Sequence, residues 1–123
     1  MSSNDSTRKA EAAKRKLEAQ RRDAKHGEFF FAKYAAIGQP ERQAPVFVVV
    51  DSDRLDVVVC SCTTSPGRGG FDITVTLKKP TTIRTNKLYT ISRDQLLFKI
   101  PQTATPDEYA AIMSKLKEAI HVV

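Results

Sequence analysis

TTIRTNKLYTISRDQLLFKI at residues 81–100 decides how this chain is read, together with CSCTTSPGRGG at 60–70, one strand earlier. TTIRT (81–85) and NKLYTI (86–91) are β-branched and apolar, the composition of strands. Ser92 followed by Gln95 is a short capping box, so SRDQLL predicts one helical turn before a last strand around Phe98 to Ile100. In the earlier segment an apolar run ends in three hydroxyls, Thr63, Thr64 and Ser65. Pro66, Gly67, Gly69 and Gly70 then forbid regular structure. Both segments set polar groups against apolar runs, and the chemistry is expected where they meet.

Working outward, GEFFFAKY (27–34) alternates as a strand, with Phe29 and Phe31 on one face and Phe30 and Tyr34 on the other. AAIGQPERQA (35–44) reads as a loop broken by Gly38 and Pro40. PVFVVVD (45–51) is nearly all apolar and reads as a central strand that proline can begin, since a first residue need not donate to the ladder. LDVVVCSC (55–62) follows a short turn. FDITVTL (71–77) alternates with Phe71, Ile73, Val75 and Leu77 inward and Asp72, Thr74 and Thr76 outward. Beyond the last strand, Thr105, Pro106, Asp107 and Glu108 combine a cap, a proline at the first helical position and acids for the helix dipole. The helix they open carries Tyr109, Ile112, Met113, Leu116 and Ile120 on one stripe.

The N-terminal 26 residues differ from the rest. MSSNDST (1–7) has the small polar composition of disorder. Arg8 to Lys25 is rich in helix formers, with Glu11 and Arg15, and Glu18 and Arg22, spaced for ion pairs. Its apolar stripe, Ala10, Ala13, Leu17 and Ala24, is thin, so the helix either stands in solvent or docks elsewhere. The reading is therefore a basic, disordered to helical arm (1–26) and one globular domain (27–123). Many short strands with polar turns favour a small closed or half-closed barrel, since closure removes exposed edges. The expected fold is mainly β with helices (α+β): an SH3-like barrel with a C-terminal helix.

A formal net charge of +6 and a pI near 9.5 favour a polyanionic partner. Residues 1–26 hold eight Lys/Arg against four Asp/Glu, so the domain itself is only mildly basic. Cys60 and Cys62 lie two apart, on one face of one strand. They are read as free thiols in a reducing, cytoplasmic setting, because two thiols alone complete no zinc site. No apolar run approaches the roughly 18 residues of a membrane span, and none forms a secretory signal core.

His26 and His121 sit at element ends without a sequence neighbour to make a nucleophile or metal site. Asp51, Asp53 and Asp56 lack the glycine and distal glutamate of a calcium loop. Thr63, Thr64 and Ser65 with Gly67 and Gly69 suit a phosphate held by hydroxyls and backbone amides, and Arg68 adds charge at the tip. An ordinary surface turn has the same composition. Arg84, amid β-branched neighbours, is either a solvated strand arginine or one reaching a pocket mouth.

The ordered set GEFFFAKY, PVFVVVD, DVVVCSCTTSP, FDITVTL and TTIRTNKLYTISRDQLLFKI, then TPDEYAAIMSKLKEAI, resembles the MazF/PemK/Kid family of toxin endoribonucleases over residues 27 to about 120. The resemblance implies an SH3-like barrel, a homodimer, a cognate antitoxin and metal- and cofactor-independent cleavage of single-stranded RNA. In that chemistry the 2′-hydroxyl attacks the adjacent phosphate. The family's strand-end threonine falls on Thr63. The late polar positions fall on Arg84 and Asn86, where some members have an arginine and an acid. The family's Arg-Pro pair is here Ala44-Pro45, with Arg42 two residues earlier as a replacement and Glu28 and Glu41 as substitute bases. The implied catalytic set is Thr63, Arg84, Asn86 and Arg42. The RNA-binding set is Thr64, Ser65, Arg68, Lys78, Lys79 and Lys87. Asparagine cannot take a proton at neutral pH, and the alternative is a catalytically impaired SH3-like barrel that binds RNA or a protein partner.

Overall fold

The computed structural model describes residues 2–122. Two helices flank six strands: α1 (Ser2–Arg22), β1 (Phe29–Tyr34), β2 (Arg42–Val50), β3 (Asp56–Thr63), β4 (Asp72–Thr76), β5 (Pro80–Ser92), a 3-10 turn (Arg93–Gln95), β6 (Leu96–Ile100) and α2 (Pro106–Ala119). The strands form one antiparallel sheet in the order β4-β5-β3-β2-β1-β6.

The expected closed barrel is not formed: β4 and β6 are the free edges of an open sheet and do not pair with each other. Helices serve these edges instead. Glu108 at the start of α2 accepts a hydrogen bond from the Thr76 amide of β4 (3.2 Å), and Arg21 Nε of α1 donates to the Leu96 carbonyl of β6 (2.6 Å). The edge problem that favours closure is thus met locally at both ends. The sheet nonetheless curls strongly. Tyr34 of β1 and Tyr89 of β5, three strands apart, meet with ring centroids 5.5 Å apart.

Alternation sorts the apolar residues into two cores. Inside the curl lie Phe30, Val46, Val48, Val57, Val59 and Leu96, with Ala24 from the end of α1. On the other face Phe29, Phe47, Cys60, Cys62, Val75 and Ile83 pack against Ile112 and Leu116 of α2. Of the expected stripe on α2, Tyr109 and Ile120 are exposed. The Tyr109 hydroxyl instead lies 2.6 Å from His26 Nε2, while His26 Nδ1 sits 2.8 Å from the Val49 carbonyl. His26 is a clamp between α2 and the start of the sheet. Both capping boxes, Ser92 with Gln95 and Thr105 with Glu108, are formed.

Three local readings change. β2 begins at Arg42, inside the stretch read as loop, because Tyr34 to Phe29 of β1 offers a continuous ladder back to it. TTIRT and NKLYTI are one strand, interrupted where the pairing with β3 jumps from Leu88 to Arg84 across Thr85, Asn86 and Lys87. α1 starts at Ser2 rather than Arg8.

The end of α1 is held by Arg93, which is 7% exposed. Its Nη1 donates to the carbonyls of Arg21, Arg22 and Ala24, and its Nη2 and Nε donate to those of Asp51 and Asp53, all at 2.9–3.1 Å. The last carbonyls of a helix have no partner within it, and a cation there also meets the negative end of its dipole.

Candidate active site

The site is built where β2 begins and β3 ends. Because β2 is already extended at Arg42, alternation puts Arg42 on the face of Ala44, across the ladder from Tyr34. The Arg42 guanidinium carbon lies 5.5 Å from the Tyr34 ring centroid, and Nη2 donates to the Cys62 carbonyl (3.0 Å). The cation therefore reaches the residue beside Thr63. At the strand end the Ser65 amide donates to Thr63 Oγ1 (3.1 Å). That bond occupies an acceptor position of the hydroxyl and leaves its own proton for a ligand.

Arg42, Thr63, Thr64 and Lys79, with Phe31 and Pro45, line one open cavity of about 340 Å³. Among the described residues no Asp or Glu side chain lines it. Of the substitute bases, Glu41 pairs with Lys33 (3.4 Å) and Glu28 with Lys99 (2.6 Å). Cys62 contributes no nucleophile, since burial pushes its thiol well above the usual range; burial likewise takes Cys60 up to about 12. Among the described residues no cluster of three His, Cys, Asp or Glu is placed to hold a metal ion.

A polar face continues from this cavity across the sheet. Thr63, Thr82 and Thr74 are in register on β3, β5 and β4, and Ser61, Arg84 and Asp72 form the next row. Arg84 lies on this face but does not line the cavity; its Nε is buried without a hydrogen-bond partner among the described residues. A buried donor of this kind costs free energy unless an acceptor arrives. The loop after β3 folds back over the two rows. A Cβ at Gly67 would meet Asp72 Cβ at 3.2 Å and Thr82 Cγ2 at 3.6 Å, a close approach in which the Asp72 side chain would have to shift slightly. Asp72 Oδ2 accepts from the Arg68 amide (2.8 Å) and so fixes the tip that presents Arg68.

The structure thus brings Arg42, Thr63, Thr64 and Lys79 together, with Arg84 one row away. Ser65 and Arg68 stand on the exposed loop, Lys78 lines a neighbouring cavity, and Asn86 and Lys87 are exposed in the interruption of β5. Sequence reasoning missed Asp72 as the residue that organises the loop. Its position three and four residues after Gly69 and Arg68, at the start of a strand, is the signal of a side chain capping a turn.

No family model matches the chain, and no curated protein sequence does. Solved structures do match. One is an endoribonuclease in complex with its cognate antitoxin from a Mycobacterial species (TM-score 0.64, 17% identity, 80% of this chain and 95% of that one). Another is the Mycobacterium tuberculosis toxin MazF-mt6 (TM-score 0.64, 14% identity, 78% and 98%). The chain has the MazF fold. A MazE-MazF complex from Deinococcus radiodurans matches equally well in shape (TM-score 0.64, 14% identity, 80% and 96%). At such identities the shared MazF fold is a statement about backbone architecture.

Proposed function

We propose that this protein is a MazF-type toxin, an endoribonuclease that cleaves single-stranded RNA by attack of a 2′-hydroxyl on its own 3′-phosphate, without metal or cofactor. The observation that carries this reading is Arg42. The family's arginine is absent at Ala44, yet Arg42 stands on the same face with its guanidinium at the Cys62 carbonyl, beside the Thr63 hydroxyl.

The attacking oxygen forms a bond to phosphorus and loses its proton. The bond to the 5′-oxygen breaks, and that oxygen gains a proton, leaving a 2′,3′-cyclic phosphate and a 5′-hydroxyl. Arg42 and the free proton of Thr63 meet the charge that builds on the phosphoryl oxygens, as oxyanion-type donors do, and Lys79 holds a neighbouring phosphate. With no carboxylate lining the cavity, the 2′-hydroxyl proton leaves to water, and the protein contributes charge stabilisation rather than a base. Arg84, one row away with its Nε buried beneath the loop, adds positive charge to the site without lining the cavity. The 2′-hydroxyl requirement spares DNA.

The protein acts as a homodimer. A cognate antitoxin restrains it by laying an acidic segment over the basic groove. The basic arm, residues 1–26, is anchored to the domain at its C-terminal end and attracts RNA without sequence preference. The second reading is a binding module that keeps this surface without the chemistry. The lack of a lining carboxylate and the displacement of Asn86 from the cavity favour it.

Incubation of the protein with a long single-stranded RNA in EDTA decides between the two. Specific cuts ending in 2′,3′-cyclic phosphates are expected. Arg42→Ala is expected to lose about 2.7–4 kcal/mol of transition-state stabilisation, roughly 10²–10³ in rate, with the fold intact. Intact RNA that is nonetheless bound would establish the binding module, and unchanged cleavage by Arg42→Ala would remove Arg42 from the mechanism.

A further inference from the structure

Next to the Arg42–Thr63 cavity lies a second one of about 550 Å³, lined by Phe31, Pro45, Leu77 and Phe98 and rimmed by Lys78 and Lys79. Phe31 and Phe98 are stacked nearly parallel, with centroids 5.2 Å apart and planes inclined by 13°. Phe98, on the edge strand β6, is 52% exposed. Lys33 and Lys99 nearby are engaged by Glu41 and Glu28. Lys78 and Lys79 are exposed and, among the described residues, make no ion pair. Phe31, Pro45 and Lys79 line both cavities, so the two are continuous.

We propose that this second cavity is a base-binding subsite, in which one base of single-stranded RNA stacks on Phe98 while Lys78 and Lys79 hold the flanking phosphates. The inference rests on the reading of RNA as substrate. Every base has a flat π-face, so a parallel phenylalanine pair continues naturally into a base stack, and cations at its rim match a phosphate backbone on either side. The volume more than accommodates a nucleobase, and the largely apolar lining leaves orientation mainly to stacking and to the lysines at the rim. Because the subsite adjoins the scissile position, it holds the strand in register for attack at Thr63 and Arg42.

The test is fluorescence anisotropy with a labelled, mixed-sequence 2′-O-methyl oligoribonucleotide, which cannot be cut by 2′-hydroxyl attack. Phe98→Ala is expected to weaken binding about tenfold, and Phe98→Trp to restore it. Replacing both lysines by alanine is expected to reduce the slope of log affinity against log salt by about 1.4. Wild-type affinity in Phe98→Ala, or in Phe98→Leu, which keeps apolar contact without a ring, would overturn the proposal. So would sedimentation showing that Phe98→Ala separates two copies of the chain while RNA is bound as before. Cleavage of unmodified RNA is measured in parallel. Phe98-dependent binding without cleavage upholds the subsite and removes the nuclease reading, whereas no binding at low salt removes both.

Discussion

Replacing Arg93 by methionine keeps the aliphatic bulk of the side chain and deletes every donor it offers. The guanidinium makes six hydrogen bonds to five carbonyls, those of Arg21, Arg22, Ala24, Asp51 and Asp53. Charge-assisted bonds contribute roughly 1.5–3 kcal/mol each, and a buried acceptor left without a partner costs about 1–3 kcal/mol. The sum is not additive. Arg22 and Asp53 are exposed and their carbonyls regain water, whereas Ala24 is 3% exposed and Arg93 itself is buried. A loss of about 3–5 kcal/mol is expected, a large share of the roughly 5–15 kcal/mol that holds a domain together. Urea denaturation followed by circular dichroism measures it, and a fall in Tm of roughly 10–20 °C should accompany it. Hydrogen exchange should show the amides around Ala24 opening first, since Arg93 is what bonds the end of α1 to the 51–53 turn. Arg93→Lys should recover only part of the loss, because one ammonium cannot reach carbonyls on both sides of a planar fork. A destabilisation below about 1 kcal/mol would refute this account of how α1 is anchored.

Two further perturbations test charge. The amides of Leu55 and Asp56, with help from Arg93 and Arg54, hold the Asp53 carboxyl below its usual range. The native state therefore binds fewer protons than the unfolded one near pH 4, and the contribution is present above about pH 4 and lost as pH falls through the native value. The stability gap between wild type and Asp53→Asn should narrow on going from pH 7 to pH 3 in urea titrations; a constant gap would exclude this linkage. Deleting residues 1–18 removes Arg8, Lys9, Lys14, Arg15 and Lys16 while keeping the carbonyls that Arg93 binds. RNA affinity should fall and its salt dependence flatten. An unchanged salt slope in binding titrations would make α1 a passive extension.

Much of the architecture is written in local patterns. Alternation in residues 29–34 and 71–77, the glycine-rich break after Ser65, and the two capping boxes are each decided by neighbours a few residues apart, and each stands in the structure. The position of Thr63 at a strand end is of the same kind. The open sheet is not, because whether β4 pairs with β6 depends on what else can reach those edges. Glu108 and Arg21 do so from residues 32 and 75 positions away in the chain. The resemblance named Arg42, but not its placement: the stretch before Pro45 reads as loop, and only the ladder offered by β1 extends it and turns the guanidinium toward Cys62. Arg93 reads as an ordinary polar residue in a short helical turn until the end of α1 and the 51–53 turn arrive around it. Apart from the start of β2 and α1 and the joining of residues 81–85 and 86–91 into one strand, the sequence by itself determined which segments are strands and helices and where hydroxyls, glycines and cations punctuate them, because those choices are made by short-range sterics and periodicity. Tertiary structure alone decided which edges stay open and which cations share a cavity, because those depend on hydrogen bonds and packing between residues that only the folded chain brings together.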